Sequence, residues 1–230
     1  MKIYYDLHIH SGLSPCGEKE MTPNNIVNMS IIKGLDIISV TDHNTVENYP
    51  AVKAVADKTG MKVIPGIEIT SREEVHILAY FNTYEDAKIV SDKLYDALPD
   101  IKNRPEIFGE QTIYDEMDNP RGTLEKLLIN ATTFTIKDII GMVKAVNGVV
   151  MPAHVEKKSN GIIGVLGFIP PEYDFEFVEV ESKEYENRLT EKYKKIYNSD
   201  AHRLEDISEP LNYFDCDSIE SMIKYIGLGK

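Results

Sequence analysis

The sequence has few cysteines, no long apolar run and no N-terminal stretch typical of a secretory signal. Each of these features excludes a class of protein. Only Cys16 and Cys216 are present among 230 residues, and they form no pairwise motif, which argues against a disulfide-stapled secreted domain. No apolar stretch approaches the roughly 20 residues that a membrane span needs. The first residues read as a strand and not as a secretory signal. We therefore expect a reduced, cytoplasmic setting and no membrane partner.

Positive charge is also scarce. Lys and Arg number 25 against 38 acidic residues, which gives a formal net charge of −13. Such a balance argues against a broad electropositive surface for gripping long nucleic acid. It leaves room for a short nucleotide at a locally positive site. We therefore expect a small phosphorylated molecule or short nucleotide as partner, and no long nucleic acid. The sequence leaves the oligomeric state open.

The six histidines are the most informative residues present. Histidine is the commonest protein ligand for transition metals, and carboxylates are its usual partners. All six stand in segments typical of metal sites: Asp-Leu-His8-Ile-His10-Ser, Thr-Asp-His43-Asn, Glu-Val-His76-Ile-Leu, Pro-Ala-His154-Val and Ser-Asp-Ala-His202. Glu68 and Asp200 stand in comparable settings. The pattern predicts a cluster of metal ions.

Strand-like and helix-like stretches alternate along the chain, which predicts parallel βαβ units within one domain, 1–230. Thr22-Pro23 and Thr135 with Asp138 read as helix starts, and Gly34 as a helix end. The strand-like runs rich in β-branched residues are 2–8, 36–42, 62–69, 75–81, 148–153, 175–181 and 195–199.

The interval 83–135 interrupts this alternation, because it is longer than one crossover needs. It holds a helix-like piece at 84–97 and then a stretch punctuated by Pro, Asn and Gly. We interpret it as an insertion that forms a lid over the mouth of the fold, with a disordered loop as the alternative. Leu124, Leu127 and Leu128 give it an apolar side.

Most candidate ligands fall at the carboxyl ends of the predicted strands. His8 and His10 are two residues apart and so project from one face of the first strand. His43, Glu68, His154 and Asp200 end later strands, and His202 follows directly; His76 is the exception, near the start of its run. Carboxyl ends of parallel strands meet at one mouth, where barrel active sites form.

In this order and spacing the motifs resemble the polymerase and histidinol phosphatase (PHP) superfamily. The matching segments span nearly the whole chain: 6–11, 41–43, 66–68, 76–80, 152–154 and 199–202. The resemblance implies a distorted seven-stranded (β/α)7 barrel, with the inserted segment over its C-terminal mouth. That number of strands agrees with the seven runs counted independently.

The resemblance also implies a site for two to three divalent ions. The implied ligands are His8, His10, Glu68 and Asp200 for the first ion, bridging Glu68 with His76 and His154 for the second, and His43 and His202 for the third. The family adds an Asp or His from the loop after the first strand, and here the sequence departs from it. Cys16 falls at or near that position, and a thiolate binds zinc or iron well. Glu18 or Glu20 could reach instead, or the third site could be weak.

Phosphoester hydrolysis suits such a site, because a negative substrate repels hydroxide and its leaving oxygen must be neutralised. Ions about 3.5–4 Å apart activate a bridging water and stabilise both charges. His-rich sites with a few carboxylates suit Zn, Mn or Fe better than Mg. We expect catalysis to involve Glu68, Asp200, His202 and Arg203, and phosphate binding to involve Arg72, Arg203 and Lys157.

Neighbouring carboxylates are expected to support the ligands. Asp6 and Asp42 precede their histidines closely and are candidate acceptors for imidazole N–H groups. One of Glu179 and Glu181 is expected to face the mouth, Glu181 with a hydrogen-bonding role.

The favoured function is a metal-dependent phosphoesterase acting on a small phosphorylated metabolite or nucleotide through a metal-bridging hydroxide. A phosphomonoester such as histidinol phosphate, a nucleoside bisphosphate and the 5′ end of short RNA or DNA remain open as substrates. The alternatives are an amidohydrolase-like enzyme that attacks C–N bonds and a non-catalytic PHP domain that serves as a structural partner. Retention of the ligands and the nearby cationic residues favour the phosphoesterase.

Overall fold

Eleven strands and seven α-helices make up the computed structural model, which describes residues 1–229. The strands are β1 (Lys2–Ile9), β2 (Ile37–Val40), β3 (Lys62–Val63), β4 (Gly66–Thr70), β5 (His76–Tyr80), β6 (Thr112–Tyr114), β7 (Pro120–Thr123), β8 (Val149–Pro152), β9 (Phe177–Glu179), β10 (Lys194–Ile196) and β11 (Tyr213–Asp215). The helices are α1 (Pro23–Ile32), α2 (Tyr49–Thr59), α3 (Tyr84–Ala97), α4 (Pro105–Phe108), α5 (Ile136–Lys144), α6 (Ile162–Leu166) and α7 (Ile219–Tyr225), with 3-10 turns at Pro171–Tyr173 and Leu204–Asp206. None of these helices is long and apolar enough to cross a membrane.

Local sequence signals account for most of these elements. Thr135 Oγ1 accepts the amide N–H of Asp138 at 3.1 Å, and the Asp138 carboxylate accepts the Thr135 amide at 2.9 Å, a capping box that starts α5. Gly60 ends α2 with a φ of +81°, where glycine is unstrained. All seven predicted runs contain a strand, but 62–69 divides into β3 and β4 around Pro65, which has no amide hydrogen to donate to a ladder.

The strands of residues 1–229 form four separate sheets, so the structure supports a mixed α/β fold and not the closed (β/α)7 barrel that we predicted. The sheet orders are β11-β1-β2-β3, β4-β5-β8, β9-β10 and β6-β7. Isolated bridges, Ile9 with Ala201 and His43 with Glu68, join neighbouring sheets where a barrel would have continuous ladders. β5 also runs antiparallel to β4 and β8, because residues 71–75 form a turn too short for the crossover that a parallel pair requires.

Two apolar clusters hold the sheets in place. The larger packs helices α1, α2, α3 and α5 against the outer faces of the strands. The smaller lies inside and takes Ile3, Tyr5 and Leu7 from β1 together with Met222 of α7 and Ile226, which directly follows that helix. Alternate residues of β1 point inward, as the pleat of a strand requires. This inner packing leaves the other end of the strands, where the histidines lie, free for polar side chains.

Candidate metal centre

The predicted ligands come together at one edge of the sheets. His8 and Glu68 lie within β1 and β4, and the remaining strand-end ligands follow their strands closely. His8, His10, His43, Glu68 and His154 are buried. The side chain of Asp200 is 15% exposed and that of His202 is 30% exposed. The convergence predicted from the sequence is therefore present, even though the sheets do not close.

His76 joins them because β5 is antiparallel to its neighbours. Thr70, at the end of β4, pairs with His76, at the start of β5, and Pro152 of β8 pairs with Ile77. The first residue of β5 therefore lies beside the last residues of β4 and β8. This geometry explains why His76 stands at the start of its run while the other ligands stand at the ends of theirs.

Glu68 lies at the middle of the centre with a side chain 1% exposed. The two carboxylate oxygens face different sets of imidazoles. Oε1 lies 2.8 Å from His76 Nδ1, 3.1 Å from His154 Nε2 and 3.4 Å from His8 Nε2. Oε2 lies 3.2 Å from His10 Nε2 and 3.1 Å from His43 Nδ1. One carboxylate between two donor sets is the arrangement of a bridging ligand.

Two triangles of donor atoms flank Glu68. His8 Nε2, His10 Nε2 and Asp200 Oδ1 are each 3.2 Å from the other two. On the other side, His76 Nδ1 lies 3.3 Å from His154 Nε2, and both lie near Glu68 Oε1. Nitrogen and oxygen ligands about 2.0–2.2 Å from one ion have separations of about this size. Each triangle therefore matches the donors of a single divalent ion.

Glu179 orients the His8 ring from behind. Its carboxylate oxygens lie 3.0 and 3.1 Å from His8 Nδ1, and it also accepts the Asn198 amide at 2.7 Å and the His154 backbone N–H at 2.8 Å. Burial raises the pKa of Glu179, but nearby His8 outweighs it and holds that pKa below its ordinary value. Such a partner places the proton on Nδ1 and leaves Nε2 for a metal.

The sequence favoured Glu181 for a hydrogen-bonding role, whereas Glu179 takes it. Glu181 is 55% exposed and pairs with Lys157 at 3.2 Å. Strand periodicity could not distinguish them, because Phe177, Glu179 and Glu181 are all two residues apart; β9 ends at Glu179, so only the end of the strand separates the two carboxylates.

Ser14 and Asp42 orient His10 in the same manner. The Ser14 hydroxyl donates to Asp42 Oδ1 at 2.7 Å and lies 2.9 Å from His10 Nδ1. Because the hydroxyl proton is committed to Asp42, its oxygen is left to accept from Nδ1–H. His10 Nε2 is therefore free to ligate. Asp42 acts through Ser14 and not on the imidazole directly.

Asp6 plays a structural part instead of the imidazole contact that we expected. It accepts the Ser199 hydroxyl at 2.6 Å and the backbone amides of Ser208 at 2.9 Å and His8 at 3.3 Å. These bonds tie the loop that carries Asp200 to β1. Burial raises the pKa of Asp6 despite them.

The donor set fits divalent metal ions. Nδ1 of His43 and Oε2 of Glu68 are buried and lie 3.1 Å apart, but neither atom makes a hydrogen bond with the residues described, and a buried polar atom without a hydrogen bond is costly. Burial raises the pKa of Glu68 and of Asp200, but surrounding imidazoles hold both well below their ordinary values. Imidazoles around ionised carboxylates suit Zn, Mn or Fe.

The pKa values of four imidazoles fall into two groups, according to whether burial or the neighbouring carboxylates dominate. Burial lowers the pKa of His8 and of His10, but the neighbouring carboxylates outweigh it; that of His8 lies well above 6.5 and that of His10 at about 9. Burial holds the pKa of His43 well below 6.5 and, with nearby His10, that of His202 at about 4. The imidazoles with raised pKa values are thus those beside Glu68 and Asp200, where the first ion would bind.

Cys16 lies beside three of the histidines. Its Sγ and one nitrogen each of His10, His43 and His202 all lie within 4.8 Å of one another. The alternatives lie elsewhere: the Glu18 carboxylate pairs with Arg203 at 3.1 Å, and that of Glu20 lies 3.8 Å from Lys19. Of the three candidates, the structure brings only Cys16 into this group.

Two of the eight non-glycine residues with a positive φ are candidate ligands. His154 has a φ of 26° and Asp200 a φ of 53°, values that non-glycine residues adopt rarely and at a cost of about 1–3 kcal/mol. Asp6 and Glu179 hold the two segments through their backbone amides. The strained backbone aims both side chains at the centre.

The predicted phosphate-binding residues divide into two groups. Lys157 lines a cavity of about 210 Å³ over the ligands, together with Ser159 and Asn160. Its Nζ lies 2.7 Å from Asp200 Oδ2. Arg203 is 57% exposed and pairs with Glu18 and Glu205. Arg72 is exposed and does not line this cavity. The structure thus places Lys157 at the centre and both arginines away from it.

The segment 83–135 packs against the loop that carries Cys16. The Thr112 amide donates to Gly12 O at 2.9 Å, and Gly109 lies against the carbonyl of Pro15. The residues that line the metal cavity come from other parts of the chain. The lid role of this segment stays a prediction.

Comparison with known proteins identifies the family to which the chain is similar. A model of the PHP domain matches residues 6–205. The chain is 23% identical over 240 aligned residues to the PolC-type DNA polymerase III of Oceanobacillus iheyensis, a match that covers 85% of this chain and 17% of the polymerase. Matches to the first two curated relatives cover 50% and 27% of those proteins. The chain therefore spans half or less of the curated relatives that it matches.

Two solved structures share the fold. The lesion-specific endonuclease EndoQ of Pyrococcus furiosus superposes with a TM-score of 0.69 at 20% identity, over 100% of this chain and 57% of that one. A protein of Bifidobacterium adolescentis assigned as a metal-dependent phosphoesterase gives a TM-score of 0.63 at 17% identity, over 98% and 96% of the two chains. A further structure holds endonuclease Q with a 27-mer duplex substrate that carries an abasic lesion at the active site.

The endonuclease complex overturns our expectation that long nucleic acid is not a partner. That expectation rested on the net charge of −13, which averages over the whole surface. Binding of a strand depends on the local electrostatic potential at the site, where Lys157 contributes positive charge and bound metal ions would add to it. Net charge alone was therefore the wrong criterion.

Proposed function

The chain belongs to the PHP domain family, and from that premise we propose that it is a hydrolase of phosphate esters in nucleotides or nucleic acid, dependent on two or three divalent ions. The observation that carries the proposal is Glu68, whose two oxygens face separate sets of imidazoles. When bound, the ions supply an activated water and neutralise phosphate oxygens.

The residues of this chain prepare the site for that chemistry. Glu179 and the Ser14–Asp42 pair hold the His8 and His10 rings with Nε2 directed at the ions. A fixed ligand geometry lets the ions meet the phosphate without reorganisation, which lowers the barrier. Asp200 offers Oδ1 to the first ion while Oδ2 contacts Lys157.

Lys157 supports phosphate as the group recognised. Its Nζ lies 3.2 Å from Glu181 and 2.7 Å from Asp200 at the edge of the cavity. Burial lowers its pKa, but Asp200 and Glu181 outweigh burial and raise that pKa above the ordinary value. A permanently charged ammonium beside the ions binds a non-bridging phosphate oxygen, and we assign that role to Lys157. Arg203 and Arg72 are assigned to more distant parts of a longer substrate.

Nucleotide and nucleic-acid substrates share the phosphodiester or phosphomonoester that this site addresses. EndoQ acts on a lesion in duplex DNA, and PolC is a DNA polymerase; both relationships favour a nucleic-acid strand. The 210 Å³ cavity over the ligands admits one phosphate group and not a folded duplex, so a strand would present a single ester to it.

The test begins with metal content of the full chain purified without chelators, followed by reloading with Zn, Mn or Fe. The loaded protein is then given bis-p-nitrophenyl phosphate, a nucleoside bisphosphate, labelled single strands and a duplex with an abasic site. We expect two or three ions per chain and phosphoester cleavage, lost in Glu68→Gln. Cleavage of strands but not of the bisphosphate would identify nucleic acid as the substrate; the converse would identify a small nucleotide.

Other results would refute the proposal. Bound metal with cleavage of amide substrates and no phosphoester would indicate C–N hydrolysis. Absence of bound metal after supplementation would indicate a structural domain.

A further inference from the structure

We propose that the Cys16 thiolate completes the third metal site with His43 and His202, and that it makes this site selective for thiophilic ions. The inference rests on the proposed metal-dependent function. It concerns a residue at which this chain departs from the Asp or His pattern that its family resemblance implied.

The donor atoms are close enough to bind one ion. Sγ of Cys16 and nitrogens of His10, His43 and His202 lie within 4.8 Å of one another. Ligands of a tetrahedral zinc ion, with Zn–S about 2.3 Å and Zn–N about 2.0–2.1 Å, lie about 3.3–3.8 Å apart. Small side-chain adjustments on binding therefore suffice.

A buried imidazole without a hydrogen bond points independently to a ligand here. His43 is 5% exposed, and its Nδ1 lies 3.1 Å from Glu68 Oε2 but makes no hydrogen bond with that oxygen or with any other described residue. His202 is also prepared, because its Nδ1 lies 2.8 Å from the carbonyl oxygen of Asp200. Nδ1–H donates to that oxygen and leaves Nε2 as the metal donor.

His10 is not the fourth ligand of this site. Its Nδ1 contacts Ser14, and its Nε2 faces Glu68 and Asp200 of the first site. Cys16, His43 and His202 are left as three protein ligands. A zinc site with three protein ligands keeps a position open for water or substrate, as catalytic sites do.

The loop holds Cys16 in place. The Glu18 amide, two residues on, donates to the carbonyl oxygen of His202 at 3.0 Å, and the Gly17 amide donates to Ser14 O at 2.9 Å. A Cβ at Gly17 would lie 2.5 Å from Ser11 O, so only glycine allows this tight turn. The two residues that follow Cys16 are thus anchored to Ser14 and His202.

A thiolate changes which ions the site prefers. Soft sulfur donors favour zinc, cobalt and ferrous iron over Mn and Mg, which prefer oxygen. We therefore expect the third site to differ from the first two, and the Cys16→Asp substitution to shift its preference towards Mn.

Cobalt(II) tests sulfur ligation directly, because a thiolate bound to cobalt gives a charge-transfer band in the near ultraviolet. The full chain, Cys16→Ser, Cys16→Asp and Cys216→Ser are each titrated with cobalt. Cys216 is the matched control, since it is the only other cysteine and does not belong to this group. We expect the band in the wild type and in Cys216→Ser, and its loss in both Cys16 variants.

Metal stoichiometry provides the second readout. Cys16→Ser should weaken binding of the third zinc ion by at least about 10- to 100-fold, the loss caused by removing even an outer partner of a metal ligand. The first two ions should remain. A band that persists in Cys16→Ser, or cobalt bound at three sites without any band, would overturn the inference while leaving the proposed function intact. Absence of bound metal at every site would overturn both.

Discussion

Glu179 contacts Nδ1 of His8 with both carboxylate oxygens, at 3.0 and 3.1 Å, from the side opposite to the metal centre. It is 2% exposed and also accepts the backbone N–H of His154. One buried carboxylate thus fixes the proposed ligand His8 of the first ion and the strained backbone of His154, the proposed ligand of the second. Its loss should affect both ions together.

We expect Glu179→Gln to weaken metal binding by about 10- to 100-fold, because an amide orients the imidazole less strongly and does not raise its basicity. Titration with zinc, followed by calorimetry, measures the change. Glu181→Gln is the matched control, since Glu181 lies two residues further on and is 55% exposed. Equal affinities for the two variants would contradict the role of Glu179.

Lys157→Gln should raise KM for phosphoesters by about 10- to 100-fold and leave metal content unchanged, because a hydrogen bond to a charged group contributes about 1.5–3 kcal/mol. Lys158→Gln is the control, because Lys158 is the exposed neighbour of Lys157 and does not line the cavity. Steady-state kinetics on the metal-loaded protein should show the higher KM in Lys157→Gln and not in Lys158→Gln. A loss of bound metal in Lys157→Gln would assign the lysine to Asp200 instead of to the substrate.

Metal-free and metal-loaded protein should respond to pH in opposite directions. The pKa of His10 is raised from 6.5 to about 9 in the metal-free fold, where burial lowers it and hydrogen bonds to Asp200 and Glu68 outweigh burial. A group whose pKa is raised on folding stabilises the fold below pH 6.5, and this stability is lost as the pH rises through about 9. Metal ligands must be unprotonated, so metal affinity rises over the same interval.

Melting curves with EDTA and with zinc, at several values between pH 6 and pH 9, test this prediction. The EDTA sample should melt at lower temperature as the pH rises, while the stabilisation by zinc should grow. Calorimetry in buffers of different ionisation enthalpy should detect proton release on metal binding at pH 7. A zinc effect independent of pH would show that His8 and His10 are not ligands.

The sequence allowed the cluster of candidate ligands to be predicted because metal donors are rare residue types whose order along the chain is distinctive. Their convergence was predicted from their positions at the ends of strands. Cys16 was predicted because it stands at or near the position where the family has an Asp or His. The sequence named both Glu179 and Glu181 but favoured Glu181 for the hydrogen-bonding role, because residues two apart share a face and the end of a short strand leaves no signal in the sequence. The antiparallel direction of β5 was missed because strand periodicity is the same in both directions, and only the length of the 71–75 turn distinguishes them.

Sequence patterns also could not predict that the sheets do not close into a barrel. The run 62–69 contains Pro65, which signals the break between β3 and β4. The links that replace ladders are single contacts, such as the Leu7 amide with Asn198 Oδ1 at 2.9 Å. Such contacts depend on tertiary geometry and leave no periodic trace.

Gly109→Ala tests whether the 83–135 segment supports the Cys16 loop. Gly109 has a φ of +98°, and a Cβ there would lie 2.1 Å from Pro15 O, next to Cys16. The substitution should destabilise the fold by about 1–3 kcal/mol through backbone strain and overpacking, which corresponds to roughly 2–12 °C in Tm for a chain of this size. It should also weaken the third ion selectively, because the displaced carbonyl precedes its proposed sulfur ligand.

Gly122→Ala is the control for this substitution, since Gly122 lies in β7 of the same segment and a Cβ there would meet nothing within 4 Å. In melting curves and zinc stoichiometry, Gly109→Ala should differ from the wild type, whereas Gly122→Ala should not. If Gly109→Ala lowers Tm but retains all three ions at wild-type affinity, the segment stabilises the fold without positioning Cys16. If it weakens all ions alike, the strain reaches Ser14 and His10, and the loop positions the whole centre.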